Sequence, residues 1–308
     1  MAREEIKVFG PATVSNVGPG FDLLGFALEA PGDELIVRRN GTNKLVLLNQ
    51  TDYPLPLDPE KNVAAVAARA LLIELGSYEG FDLVFTRKIP PGSGVGSSAA
   101  SCVAAVMGIN ELLGSPFDTS DLVPFAMEGE TLASGSTHAD NIAPALLGGI
   151  TLIRSYDPLD IKHLPYPEDL WCAVVHPELE ILTEESRKLI PEMVPMKTAL
   201  QQCGNLAALV AALGTADYPL ISRSVNDVFA EPYRTGQLPD FETLKIAALE
   251  AGSVGTGLSG SGPSVFSLCR GEDMAISLGK LKEEHFSAHG IKSRVYVSRI
   301  SEAGCKII

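Results

Sequence analysis

No C-x-x-C pair occurs in the 308-residue chain. Its five cysteines (Cys102, Cys172, Cys203, Cys269 and Cys305) are scattered and odd in number. A disulfide framework and a zinc site are therefore not expected to organise the fold. A reducing cytoplasm is the expected compartment. Positive charge is also scarce: 24 Lys and Arg face 38 Asp and Glu, for a net charge of -14. Such a surface repels nucleic acid and anionic membrane, so neither is expected as a partner. The start, MAREEIKVFG, lacks the apolar core of a secretory signal. One uncharged run, Ile89 to Asn110, opens with Pro-Pro-Gly and carries serines. Its helix-forming part is too short to cross a bilayer, so a buried helix after a turn is expected.

What remains is the composition of a globular protein, 45% apolar and 20% charged, long enough for one large domain or two ordinary ones. Asn40-Gly41 lies between two β-type runs and predicts a hairpin. Asp58 reads as an N-cap with Pro59 opening a helix that ends at Gly76. Alternating Phe81, Leu83 and Phe85 predict a half-buried strand. A helix is then expected to about Leu113, and another from about Ser120 to Ala133 with Pro124 in its first turn. Strands are expected at WCAVVH (171–176), GPSVFSLC and SRVYVSRI, and helices at NLAALVAAL and DFETLKIAALEAG. Strands and helices are interspersed, so an α+β fold is expected. A soft boundary lies near YDPLDIKHLPYPEDL, giving domains at 1–160 and 161–308.

The stretch PPGSGVGSSAA, residues 90–100, carries no charge. A strand, a glycine turn and a helix in that order suit an anion. The first helical turn leaves about four N–H groups unpaired, and the aligned peptide dipoles add roughly half a positive charge. Glycines let the backbone approach closely, and serines add donors. No lysine is needed. A Walker A lysine is absent, and the third glycine comes too early for the dinucleotide fingerprint. A merely structural turn is the competing reading. Two further glycine clusters, SNVGPGFDLLGFAL (15–28) and GTGLSGSGPSVFSL (255–268), suggest a site assembled from distant segments.

Together these blocks resemble the GHMP kinase family of small-molecule kinases. PPGSGVGSSAA resembles its phosphate loop, and LSGSGPSVFSL its C-terminal glycine motif. PATVSNVGPGFDLLGFAL and HADNIAPALLGG resemble the homoserine kinase branch. Val95, where leucine is common, is a mild departure. The resemblance implies an N-terminal α+β domain like the second domain of ribosomal protein S5 and a ferredoxin-like C-terminal domain. It implies ATP and Mg2+ as cosubstrates and L-homoserine as phosphoryl acceptor. A homodimer is entertained as the assembly. A mevalonate- or sugar-type kinase, and a nucleotide-binding regulator without catalysis, are the alternatives.

Leu122, Ala126 and Glu130 share one helical line, so Glu130 is a carboxylate on an apolar stripe unless it is a solvated rim residue. By resemblance Glu130 and Ser98 hold magnesium, and with Asn141 form the catalytic set. Pro91, Gly92, Ser93, Gly94, Val95, Gly96, Ser97 and Ser98 would hold the phosphates, with Asn62 near adenine. Asn16, Asp22, His138, Asn141, Thr183, Arg187, Arg234 and Gly260 are the implied substrate residues. Asp22 would meet the ammonium, the two arginines the carboxylate, and Asn141 the hydroxyl. On residue type alone, Asp22 reads as a turn aspartate, Thr183 as a helix cap, and each arginine as a surface cation.

Overall fold

The computed structural model describes residues 3–135, 137–179, 181 and 183–308, apart from the side chains of residues 133, 134 and 183. The first part runs β1 (Glu5–Ser15), β2 (Leu24–Arg39), β3 (Leu45–Asn49), α1 (Val63–Glu74) and β4 (Phe81–Arg87). It continues with α2 (Ser97–Leu112), α3 (Val123–Ser134), α4 (Ile142–Leu147), β5 (Ile150–Tyr156) and β6 (Leu159–Leu164). The second part holds β7 (Leu170–Pro177), α5 (Thr183–Lys188), α6 (Met196–Thr215), α7 (Tyr218–Ser224), α8 (Glu231–Arg234) and α9 (Phe241–Glu250). After them come β8 (Gly255–Leu258), β9 (Val265–Arg270), α10 (Glu272–Ala288), β10 (Ser293–Arg299) and β11 (Lys306–Ile307).

The expected α+β architecture is present as two sheets. One has seven strands, with β11-β1-β2-β4-β3 as its main path and β5 and β6 branching from β2. The other is β10-β7-β9-β8. Counted within its own four strands, that order is 4-1-3-2, with α10 crossing between the third and fourth. This is the split βαβ arrangement of a ferredoxin-like sheet. Residue 160 falls inside β6, which pairs with β5 in the first sheet. We propose the domain boundary between Leu164 and Leu170, with β11 returning to β1.

The expected hairpin at Asn40-Gly41 does not form. The turn itself exists, with Gly41 at φ 66° and Asn40 Nδ2 donating to Lys44 O at 3.1 Å and Asp82 Oδ1 at 3.0 Å. However, β4 slots between the flanking strands, and β3 pairs parallel to β4. The reason is burial. Phe81, Leu83 and Phe85 of β4 are buried, whereas Val46 and Leu48 of β3 stay 38% and 41% exposed at the edge. The more apolar strand takes the central place, overriding the turn signal. The first helix also starts later than its sequence suggests. Asn62 is the cap, accepting from Ala64 N at 3.0 Å and Ala65 N at 3.4 Å. Asp58 makes only a preceding turn, accepting from Glu60 N at 3.0 Å.

The small-residue run in α2 now has a cause. Ala99, Ala100, Cys102, Val103, Ala104 and Ala105 are all fully buried. This helix lies between the first sheet and α1 and α3, in one core cluster with Val8, Leu35, Leu71 and Phe81. Short side chains let those layers close to native density. A second cluster joins the two sheets through Phe26 and Leu28 on one side and Val174 and Phe266 on the other. It fixes the loops of both parts against each other.

Candidate functional site

Those loops enclose a cleft of about 340 Å³, within the range of small-ligand sites. Its floor is the turn from Pro91 to Ser97 and the start of α2. Here two helix starts differ. Asn62 caps α1 with its side chain. The N-cap of α2 is Gly96, in the left-handed region at φ 67°, and no side chain caps it. Several other helices also start without a side-chain cap, but this one opens on the cleft, where its first N–H groups can meet a ligand. Its loop is clasped from the second part: Ser259 Oγ donates to Gly94 O at 2.7 Å, and Ser264 Oγ to Ser93 O at 2.5 Å.

Ser98 Oγ, on the first turn of α2, donates to Glu130 Oε2 at 2.6 Å. The apolar stripe of Leu122 and Ala126 is fully buried and delivers Glu130 from α3 into the cleft. Desolvation pushes its carboxyl up to about 7, and the Ser98 hydrogen bond opposes this in part. A carboxylate so raised gains from any cation placed beside it. Serine and carboxylate oxygens are hard donors of the kind magnesium takes.

At the other end Asp22 and Asn16 occupy left-handed backbone, at φ 57° and 55°, which aspartate and asparagine tolerate. Asn16 Oδ1 accepts from Asp22 N at 2.8 Å, and Asn16 Nδ2 donates to Gly260 O at 3.1 Å. Arg187 Nη2 donates to both oxygens of Asp22, at 2.6 and 2.8 Å. It also lies 2.9 Å from His138 Nε2. Burial holds His138 below its usual range; Arg187 and Arg234 act the same way against Asp22. Arg234 is 4% exposed. Its Nη1 donates to Gly260 O at 3.1 Å, while its Nε has no hydrogen-bond partner among the described residues. Burial first, and Arg187 second, push it down to about 10. Both guanidinium groups stand over the Phe21 ring, 5.2 and 5.4 Å from its centre.

Between the two ends sits Asn141. Thr13 Oγ1 donates to its Oδ1 at 2.6 Å, and its Nδ2 donates to Ser15 Oγ at 2.9 Å. Two hydroxyls of β1 thereby fix the amide's orientation.

The cleft brings together almost all the residues singled out in the sequence: Asn16, Asp22, Asn62, Pro91, Gly92, Ser93, Gly94, Gly96, Ser97, Ser98, Glu130, His138, Asn141, Arg187, Arg234 and Gly260. Val95 turns its side chain into the core, fully buried and packed with Ala12, Val14 and Ile89, so it can serve the loop through its backbone alone. Thr183 lies in α5, but its side chain is outside the described residues. Asn62 lines the cleft while also capping α1, so its polar group is already engaged.

Three participants escaped the sequence. Asp140 is 4% exposed and lines the cleft. Desolvation, then Asp22 and Glu130, push it up to about 7. It stands between His138 and Asn141 in the block HADNIAP, which was the available signal. Lys88 also lines the cleft, bonded to Asp33 Oδ2 at 2.8 Å and to Ser97 O at 2.7 Å. It reads in sequence as an ordinary strand-end lysine. Phe21 carried no signal, since its arginine neighbours lie far along the chain.

Comparisons with known proteins place the chain in a family. A family model of the GHMP kinases N terminal domain matches residues 62–149, and one of the GHMP kinases C terminal region matches 209–284. Homoserine kinase of Chlorobium phaeobacteroides is 42% identical, covering 98% of this chain and 99% of that protein. Homoserine kinase of Pyrococcus abyssi is 37% identical, covering 95% and 96%. A solved structure of homoserine kinase from Cytophaga hutchinsonii superposes with a TM-score of 0.95 at 45% identity, covering 100% of this chain and 98% of that one. Mevalonate kinase from L. major, solved with R-mevalonate, shares the fold at a TM-score of 0.75 and 18% identity, covering 98% and 100%.

Proposed function

The chain belongs to the GHMP kinase family, and from that premise we propose that it is a homoserine kinase, moving the γ-phosphoryl group of ATP to the side-chain hydroxyl of L-homoserine. The observation that carries the reading is one cleft with an uncapped helix start at one end and Asp22, Arg187 and Arg234 at the other. The first suits a polyphosphate. The second suits an α-amino acid, which needs both signs of charge. Coupled ADP release across homoserine, mevalonate, galactose and serine tests the assignment. Fastest turnover on anything but homoserine overturns it.

Phosphoryl transfer has a loose transition state, so positioning and charge neutralisation supply most of the rate. The peptide N–H groups from Gly94 to Ser98 hold the phosphates, and the N-terminal dipole of α2 offsets their charge. Leu55, Pro56, Val63 and Phe85 give the cleft an apolar wall for the base. Ser98 and Glu130 would hold magnesium, which when bound neutralises charge on the phosphate oxygens. Asn141, locked by Thr13 and Ser15, keeps an amide hydrogen for the acceptor hydroxyl. Asp22 would face the substrate ammonium, so the hydroxyl attacks without an obligate protein base. No helix among the described residues is long and apolar enough to cross a membrane. The five free cysteines favour a reducing cytoplasm as the compartment.

Arg234→Ala is expected to raise the KM for homoserine by roughly tenfold to a hundredfold, the scale of a lost charge-assisted contact. The KM for ATP should hardly change, and steady-state titration of each substrate separates the two. A selective rise in the ATP KM contradicts the placement.

The raised carboxyl of Glu130 gives a pH dependence. The metal needs the carboxylate, which is the form present above about 7. Apparent magnesium affinity should therefore weaken as pH falls through 7, approaching about tenfold per unit for one competing proton. Magnesium titrations at several pH values check this. In Glu130→Gln the extra dependence should vanish.

A further inference from the structure

We infer that the Asp22–Arg187 ion pair is a latch over the amino-acid subsite, opened only by a ligand that carries both an ammonium and a carboxylate. The inference rests on the homoserine kinase reading and adds a rule of selection to it. Asp22, the carboxylate assigned to the substrate ammonium, is already satisfied: one guanidinium nitrogen reaches both its oxygens, at 2.6 and 2.8 Å. The pair thus presents, inside the chain, the same two charges that an α-amino acid presents.

Exchange with a zwitterion conserves charge contacts. The incoming ammonium takes Asp22, and the incoming carboxylate takes Arg187. A ligand with one charge leaves half of the pair uncompensated in a partly buried site, which is strongly unfavourable. Arg234 supplies the landing point. It is 4% exposed, and its Nε is unpartnered among the described residues. Arg187 stands against the same Phe21 ring as Arg234, their guanidinium groups 5.2 and 5.4 Å from its centre. A carboxylate resting on Arg234 is then near enough to draw Arg187 from Asp22.

Asp22 itself is held. Its N–H is taken by Asn16 Oδ1 at 2.8 Å, and its carbonyl accepts from Tyr156 Oη at 2.7 Å. Arg187 is therefore the moving half. His138, 2.9 Å from Arg187 through Nε2 and 3.7 Å from Asp22 through Nδ1, stands beside both positions.

The test compares the intact protein with Asp22→Asn on L-homoserine and on 4-hydroxybutanoate, which lacks only the amino group. Asparagine keeps the left-handed backbone that residue 22 needs. Homoserine kcat/KM should fall by roughly a hundredfold, through loss of the ammonium contact. Absolute kcat/KM on 4-hydroxybutanoate should rise by about tenfold or more, because Arg187 is released. An unchanged or lower value overturns the inference. Undiminished homoserine turnover in Asp22→Asn would instead remove the ammonium assignment, and the latch with it. Absent turnover of homoserine by the unaltered protein would defeat the functional reading itself. Crystals of the unaltered protein give a second readout that does not depend on the variant. The pair should be intact with 4-hydroxybutanoate and separated with homoserine; a pair still closed over bound homoserine overturns the latch.

Discussion

Glu130→Ala should lower kcat by roughly a hundredfold or more, the scale of removing one group that stabilises transition-state charge. The argument begins with position. Glu130 closes an apolar line on α3 and meets Ser98 Oγ at 2.6 Å, on the first turn of the helix that opens on the cleft. A carboxyl pushed up to about 7 by burial is costly unless a cation or proton accompanies it. Substitution removes that cost in the free protein, so Glu130→Ala should fold at least as well as the parent while losing activity. Loss of rate without loss of stability is the signature of a functional group, and a thermal melt beside the kinetics reads both. Unchanged kcat at saturating magnesium would take Glu130 out of the site.

Gly96→Ala should reduce kcat/KM for ATP by a similar factor. Gly96 sits at φ 67°, where an L side chain costs about 1 kcal/mol. The larger effect is steric. A Cβ there would stand 2.0 Å from Thr13 Oγ1 and 3.0 Å from Asn141 Oδ1, the two atoms that hydrogen-bond to each other. Either the start of α2 or the Asn141 amide must move. A displacement of about 1 Å in a reacting geometry costs on the order of a hundredfold. Gly92→Ala is the control. It has a similar φ of 70°, but nothing lies within 4 Å of the added atom. It should lose stability modestly and keep most of its activity. Equal losses in the two variants would show that backbone strain alone, not crowding against Asn141, governs the loop.

The loop was legible because its chemistry is local. Glycines, serines and a following helix imply open peptide N–H groups, whatever the rest of the chain does. Several strands and most helices were legible for the same reason, since periodicity and caps act within a few residues. The misses share the opposite cause. The Asn40-Gly41 turn formed, but which strand lies beside β2 depends on the relative burial of β3 and β4. The ion pair of Asp22 with Arg187 joins residues on opposite sides of the cleft. Sequence supplied the charges and the family resemblance supplied their expected ligands, but neither showed that they satisfy each other. Asp140 was hidden between two residues already named, because its importance comes from burial and from the carboxylates around it.

The central claim is that backbone N–H groups at the start of α2, with no lysine in the loop itself, grip the triphosphate. A crystal structure with magnesium and a non-hydrolysable ATP analogue tests it most directly. The β- and γ-phosphate oxygens should lie within about 3 Å of N–H groups between Gly94 and Ser98, the ordinary hydrogen-bond distance. A triphosphate bound elsewhere, or residues 92–98 closed against it, would contradict the account.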